Sequence, residues 1–146
     1  MEKLMSDVKT SAPTPKTKLE IRDALSCALA CAKLGIDKKA ENVRILDLSQ
    51  LSAFTDYFVI LNGASDRQVQ AIADSIDQEL REAGMKLLSV EGLQEGRWVL
   101  MDYGDVIVHI FLDALREYYD LERLWADAPR VKIPPEYYGP AASRLN

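Results

Sequence analysis

Five consecutive residues, Tyr57-Phe58-Val59-Ile60-Leu61, are apolar without a break, and this run constrains the fold more than any other part of the chain. A strand wetted on one face alternates apolar and polar side chains, whereas an unbroken run of strand length suits a strand covered on both faces. Residues 57–61 therefore predict a central strand. Gly63 follows and gives the backbone room to turn, and Ser65 with Gln68 three residues on has the spacing of a helix capping box. Val69, Ile72, Ala73, Ile76, Leu80 and Ala83 then recur at helical spacing, which predicts an amphipathic helix running to Gly84. Residues 86–90 read as the next strand. Strand, helix, strand in this order favours a parallel pair joined by a crossover.

The rest of the chain can be built around that unit. Thr17 and Glu20 have capping-box spacing ahead of Ile21, Leu25, Ala28, Leu29 and Ala32, which share one helical face, and Gly35 can end the helix. Residues 43–48 predict a strand with Val43 and Ile45 on one face and Leu46 and Leu48 on the other. Residues 97–102 and 105–111 flank Tyr103-Gly104, a connection short enough for a hairpin. Asp113 is expected to cap a short helix through Tyr118. Leu121, Leu124 and Trp125 continue an apolar face until Pro129 and the Pro134-Pro135 pair stop helical structure. With 146 residues, 48% of them hydrophobic, the chain can bury one core. The expected fold is thus α+β, one domain over residues 17–127, with a mixed sheet of about five strands flanked by helices. Residues 1–16 contain Ser6, Thr10, Ser11, Pro13, Thr14 and Pro15 and predict a disordered arm, and residues 128–146 a tail or draped arm.

Charge and composition narrow the function. The net charge of −5 disfavours a protein whose affinity comes from neutralising phosphates, so nucleic acid is not the expected primary partner, and an acidic domain should prefer a basic one. No apolar stretch approaches the roughly 18–20 residues of a bilayer span. Residues 1–18 lack the apolar core of a secretory signal, and residues 1–21 lack the arginines of a transit peptide. The expected location is the cytoplasm, with no membrane contact. Cys27 and Cys31, four apart on a helix, read as small core residues. His109 is the only histidine that could join them, which leaves a zinc set short of its four ligands. No metal and no cofactor are expected.

Three clusters could carry function. In the first, Gly63-Ala64-Ser65 sits between strand and helix, where helix N-termini can hold phosphate; turn and cap are the stronger reading, because no lysine follows in phosphate-loop position. In the second, period two places Trp98, Leu100 and Asp102 on one strand face and Ile107, His109 and Phe111 on one face of the next. Asp102 and Asp105 resemble metal-binding carboxylates but flank a turn, where Asp serves backbone geometry. His109 has no Ser or Cys beside it in sequence and reads as a packed or hydrogen-bonded residue rather than a general base. The third cluster, Arg116 through Trp125, is rich in the Tyr and Arg that dominate binding hot spots.

Taken together, Thr55-Asp56-Tyr57-Phe58, Gly63 through Val69, Trp98 through His109 and Arg116 through Trp125 resemble, in this order and across residues 19–125, the family called Iojap or ribosomal silencing factor RsfS. The resemblance implies a nucleotidyltransferase-like fold and no catalysis. It also implies binding to the large ribosomal subunit at the L-fourteen ribosomal protein, with steric blockage of small-subunit docking that represses translation under nutrient limitation. The partner-binding residues expected from motif position and residue chemistry are Trp98, Asp102, His109, Arg116 and Tyr119, with the aromatics as anchors and Asp102 facing a partner Lys or Arg. An apolar patch kept for a partner can also pair with itself, so a homodimer is open to the free protein. The contrasting reading is a nucleotide-binding enzyme, with Gly63 and Ser65 on phosphate and Asp102 or Asp105 on magnesium. Its carboxylates are three apart, where two on one strand, one residue apart, would be expected.

Overall fold

The computed structural model describes residues 19–139. Its sheet has the order β1 (Glu41–Asp47), β2 (Tyr57–Gly63), β5 (Val106–Leu112), β4 (Trp98–Asp102), β3 (Ser89–Glu91). β2 and β5 run parallel in full register from Tyr57 opposite Val106 to Gly63 opposite Leu112. Every other pairing is antiparallel, so the sheet is mixed and five-stranded, as the sequence predicts.

The parallel partner of β2 differs from the predicted one. The strand after the long helix was expected beside β2, yet β3 lies at the far edge with two strands between. β3 has only three residues, all exposed, whereas β5 carries Val106, Val108, His109, Ile110 and Phe111 buried. The longer apolar strand takes the centre because it removes more surface from water.

Two helices cover one side of the sheet. α1 (Ala24–Asp37) starts later than Thr17 and Glu20 suggest: Asp23 accepts from the Ser26 amide at 2.8 Å, and the Ser26 hydroxyl accepts from the Asp23 amide at 3.0 Å. Two donors that a helix start leaves unpaired are thereby satisfied. Thr17 and the arm at residues 1–16 lie outside the described residues. Leu25 is exposed, and the buried face is Cys27, Ala28, Cys31 and Ala32, with both cysteines as free thiols. α2 (Asp66–Glu82) is capped by Ser65 as predicted. The Gln68 side chain accepts from the Ala64 amide and donates to the Lys38 and Lys39 carbonyls, which ties the end of α1 to the turn before α2.

The alternation of the strands shows which side the helices take. Val43, Ile45, Val59, Leu61, Val99, Met101, Val108 and Ile110 form one core with α1 and α2, and all are essentially inaccessible. On the other face Leu46, Leu48, Ile60 and Phe111 form a smaller core, edged by half-buried Phe58, Trp98, Leu115, Leu121 and Trp125. Among the described residues, the helices on this side are α3 (Asp113–Tyr119) and α4 (Leu121–Leu124), whose Leu115 and Leu121 pack on that core. Asp113 is the first residue of α3 rather than its cap, since Leu112 holds that position without a side-chain bond. Leu124, expected to continue an apolar face, is 74% exposed. Beyond α4, the Pro129 carbonyl accepts from the Asp47 amide at 2.7 Å and the Val131 amide donates to the Ile45 carbonyl at 2.9 Å, laying this segment along the outer edge of β1.

Gly63 is required by proximity rather than by its dihedrals, because a Cβ there would sit 2.8 Å from Val69 Cγ2 and 3.0 Å from the Val69 amide nitrogen. Gly63→Ala is expected to push α2 off the sheet and cost about 1–3 kcal/mol, as overpacking does. A melting curve superimposable on the parent's would contradict this close approach.

Candidate functional site

The sheet face opposite α1 and α2 carries the residues that the motifs single out. Cross-strand pairs set Trp98 opposite Phe111, Leu100 opposite His109 and Asp102 opposite Ile107, while β2 brings Phe58 opposite Ile107 and Ile60 opposite His109. Such neighbours are close enough for side chains to touch. The result is one aromatic sheet: Phe58 meets His109 edge-on at 4.5 Å, Trp98 stacks on Phe111 at 4.9 Å, Tyr119 lies 4.6 Å from Trp98, and Trp125 meets Phe58 at 5.9 Å. Phe58, Trp98, Leu100 and Ile107 stay half-buried, in contrast to the sealed face under the helices. Tyr118, Tyr119 and Leu124 add exposed apolar area from α3 and α4.

The five expected binding residues occupy two levels. Trp98 and Tyr119 reach the surface, Tyr119 being 42% exposed. Asp102 is half-buried, and its Oδ1 accepts from the Gly104 amide at 2.7 Å, so it shapes the hairpin turn where Gly104 takes a φ of 90°. A carboxylate retains further acceptor capacity beyond one such bond. His109 and Arg116 lie beneath, each 4% exposed. Both side chains are enclosed by their neighbours in the free protein.

His109 is held neutral. The Trp98 indole donates to its Nδ1 at 3.1 Å, which leaves the ring proton on Nε2, and burial pushes the pKa down to about 4. With Nδ1 occupied, the imidazole has no free lone pair for base catalysis. Cys27 and Cys31 belong to the core on the opposite side of the sheet. Arg116 donates through Nη1 to Asn62 Oδ1 at 2.6 Å and through Nε to Glu122 Oε1 at 3.1 Å. Asn62 and Glu122 were not singled out in sequence. Asn62 is the one polar residue that ends the apolar run of β2 on the aromatic face, and that placement is the signal that could have marked it.

The arrangement needed for phosphate and magnesium does not assemble. Gly63 and Ser65 stand at the C-terminal end of β2, whereas Asp102 pairs beside Ile107, and the Asp105 carbonyl accepts from the amides of Asp56 and Tyr57 at the opposite end. Six residue steps along a strand separate the two ends, roughly 20 Å. Among the described residues, no three His, Cys, Asp or Glu groups are placed to hold a metal ion, and no helix is long and apolar enough to cross a membrane.

A five-stranded mixed sheet, sealed by helices on one side and presenting aromatics on the other, defines a single-domain α+β protein. A family model described as "Ribosomal silencing factor during starvation" matches residues 21–144. The chain is 50% identical over 97 residues to "Ribosomal silencing factor RsfS" of Bacillus subtilis (strain 168), covering 66% of this chain and 82% of that protein. It is 29% identical over 91 residues to "Mitochondrial assembly of ribosomal large subunit protein 1" of Mus musculus, covering 60% of this chain and 40% of that protein. A crystal structure of a Chromobacterium violaceum protein superposes with a TM-score of 0.71 at 33% identity, covering 82% of this chain and 99% of that one. The chain belongs to the ribosomal silencing factor family.

The single histidine makes its ionisation directly observable. Its ring signals in NMR are expected to stay those of neutral imidazole down to about pH 5. In the unfolded chain His109 takes up its proton near the ordinary value of 6.5, and in the folded chain only near 4. The unfolded state therefore binds more protons in this window, and folding stability falls as pH drops from about 6.5 towards 4, by about 2 kcal/mol at pH 5. Urea unfolding of parent and His109→Phe at pH 7 and pH 5 checks this. The variant should lack that part of the loss, and equal losses would place His109 in a wetter site.

Proposed function

We propose that this protein silences ribosomes by occupying the large subunit. Its partly uncovered aromatic face seats on the L-fourteen ribosomal protein and sterically prevents the small subunit from joining, repressing translation when nutrients are short. The observation that carries this reading is the asymmetry of the sheet: one face is closed by α1 and α2, while the other keeps Phe58, Trp98, Leu100 and Ile107 half-buried, with exposed Tyr119 lying against Trp98. Large aromatic area with polar tips is the chemistry of binding hot spots. The net charge of −5, with Asp113 and Glu117 exposed on α3, suits a basic protein.

Trp98 and Tyr119 act as anchors, and Asp102 offers its remaining acceptor capacity to a partner Lys or Arg. His109 and Arg116 contribute from below, the first by fixing the Trp98 indole and the second by its bonds to Asn62 and Glu122. The protein works by position, as a regulator without a chemical step. Such an aromatic face can also close on a second copy when the ribosome is absent, giving a homodimer that competes with docking.

Purified protein should sediment with isolated large subunits and leave small subunits in the supernatant, and subunit mixing in its presence should yield fewer joined ribosomes. Equal binding to both subunits, or to neither, overturns the reading. Tyr119→Ala should weaken large-subunit binding about thirtyfold, which corresponds to about 2 kcal/mol. Asp74→Ala, on the opposite side of the sheet, should bind like the parent. Melting is followed on the same preparations, because Tyr119 also packs on Trp98.

A further inference from the structure

α3 and α4 have seven and four residues, too short to hold a helix by themselves. They meet at Asp120, whose backbone is left-handed with φ 45° and ψ 54° although it is not glycine. This kink sets the direction in which Tyr118 and Tyr119 on one side, and Leu121, Leu124 and Trp125 on the other, stand over the sheet. Beneath it lies a connected set of polar groups. Arg116 on α3 reaches Asn62 at the end of β2 and Glu122 on α4, and the other Glu122 oxygen faces Arg130 Nη2 at 3.7 Å. Arg130 belongs to the segment beside β1. One buried guanidinium thus ties together a central strand, both short helices and the edge segment.

Stability alone gives little reason for this group. Taking an arginine fully and a glutamate partly out of water costs much of what their attraction returns, and apolar replacements of similar volume are often as stable. Arg116 Nη2 also has no hydrogen-bond partner among the described residues, which adds to the cost. What the pair supplies is direction, because a forked donor can meet Asn62 and Glu122 together in only one arrangement of α3 against α4.

We infer that the pair of buried Arg116 and half-buried Glu122 is a positioning device, which fixes the α3–α4 kink and so the presentation of Tyr118, Tyr119 and Leu124 to the partner, without touching the partner itself. This rests on the docking face proposed above. Both of the chain's tryptophans, Trp98 and Trp125, lie in the aromatic cluster beneath the kink, so their fluorescence reports on its arrangement in the free protein.

The test compares the parent, Glu122→Gln, and the double variant Arg116→Met with Glu122→Met. Three readouts are taken: melting temperature, acrylamide quenching of tryptophan in free protein, and affinity for isolated large subunits at low and high salt. The double variant, in which buried Asn62 loses its partner, should stay folded and melt no more than a few degrees below the parent, show at least twofold stronger quenching, and bind about tenfold more weakly at both salt concentrations. Glu122→Gln should move quenching and affinity in the same direction, and it remains informative if the double variant fails to fold. A folded variant with the parent's quenching and the parent's affinity overturns the inference. So does an affinity loss that disappears at high salt, because exposed charges meeting a partner are screened far more than a pair whose arginine is buried and whose glutamate is half-buried. A parent that binds no large subunits removes the proposed function but leaves the quenching comparison to decide the positioning role.

Discussion

The parallel pairing of β2 with β5 is the interaction on which the molecule depends. Seven residues of each strand are in register, and no tight turn can join parallel neighbours, so everything between them must be accommodated elsewhere. α2 occupies one face of the sheet, and β3 and β4 are sent to the far side of β5 before the hairpin returns the chain to the centre. Because α1 and α2 both fall on the same face, the other is left with two short helices. The open aromatic face, which the proposed function uses for docking, is a by-product of how one parallel pair is connected.

Much of this was legible because side-chain alternation is a local property. The unbroken run at residues 57–61, the Ser65 cap and the hairpin at Tyr103-Gly104 are all recovered in the structure. Pairing is not local. Residues 86–90 have enough apolar character to suggest a partner for β2, but only the competition with the longer β5 decides which strand sits there. The start of α1 is hard to read from sequence for a chemical reason: a serine in the third helical position completes the Asp23 box in place of the usual glutamate or glutamine, whereas Thr17 and Glu20 have the standard spacing further upstream.

The site was legible by face and not by depth. Period two correctly joined Trp98 and Asp102, and His109 with Phe111, on one side of the sheet. It carried no information on how far α3 would lie over them, and so could not distinguish exposed Tyr119 from buried Arg116 on the same helix. Depth depends on the Asp120 kink and on Asn62, which meets Arg116 from 54 residues away in sequence. The His109 environment follows in the same way, since its low pKa comes from burial and burial is a property of the assembled layer.

The segment at residues 129–131 that lies along β1 has a consequence for how this molecule can meet others. It occupies the backbone groups of Ile45 and Asp47 on that margin, while at the opposite margin β3 offers only three residues. An open sheet margin is a template on which further strands add, and long flat ones invite chains to stack into aggregates. Here one margin is filled from within and the other is cut short, so the sheet has little capacity to grow sideways. The proposed docking through the broad aromatic side accords with this, since recognition there would depend on side-chain shape rather than on the indiscriminate pairing of main chains.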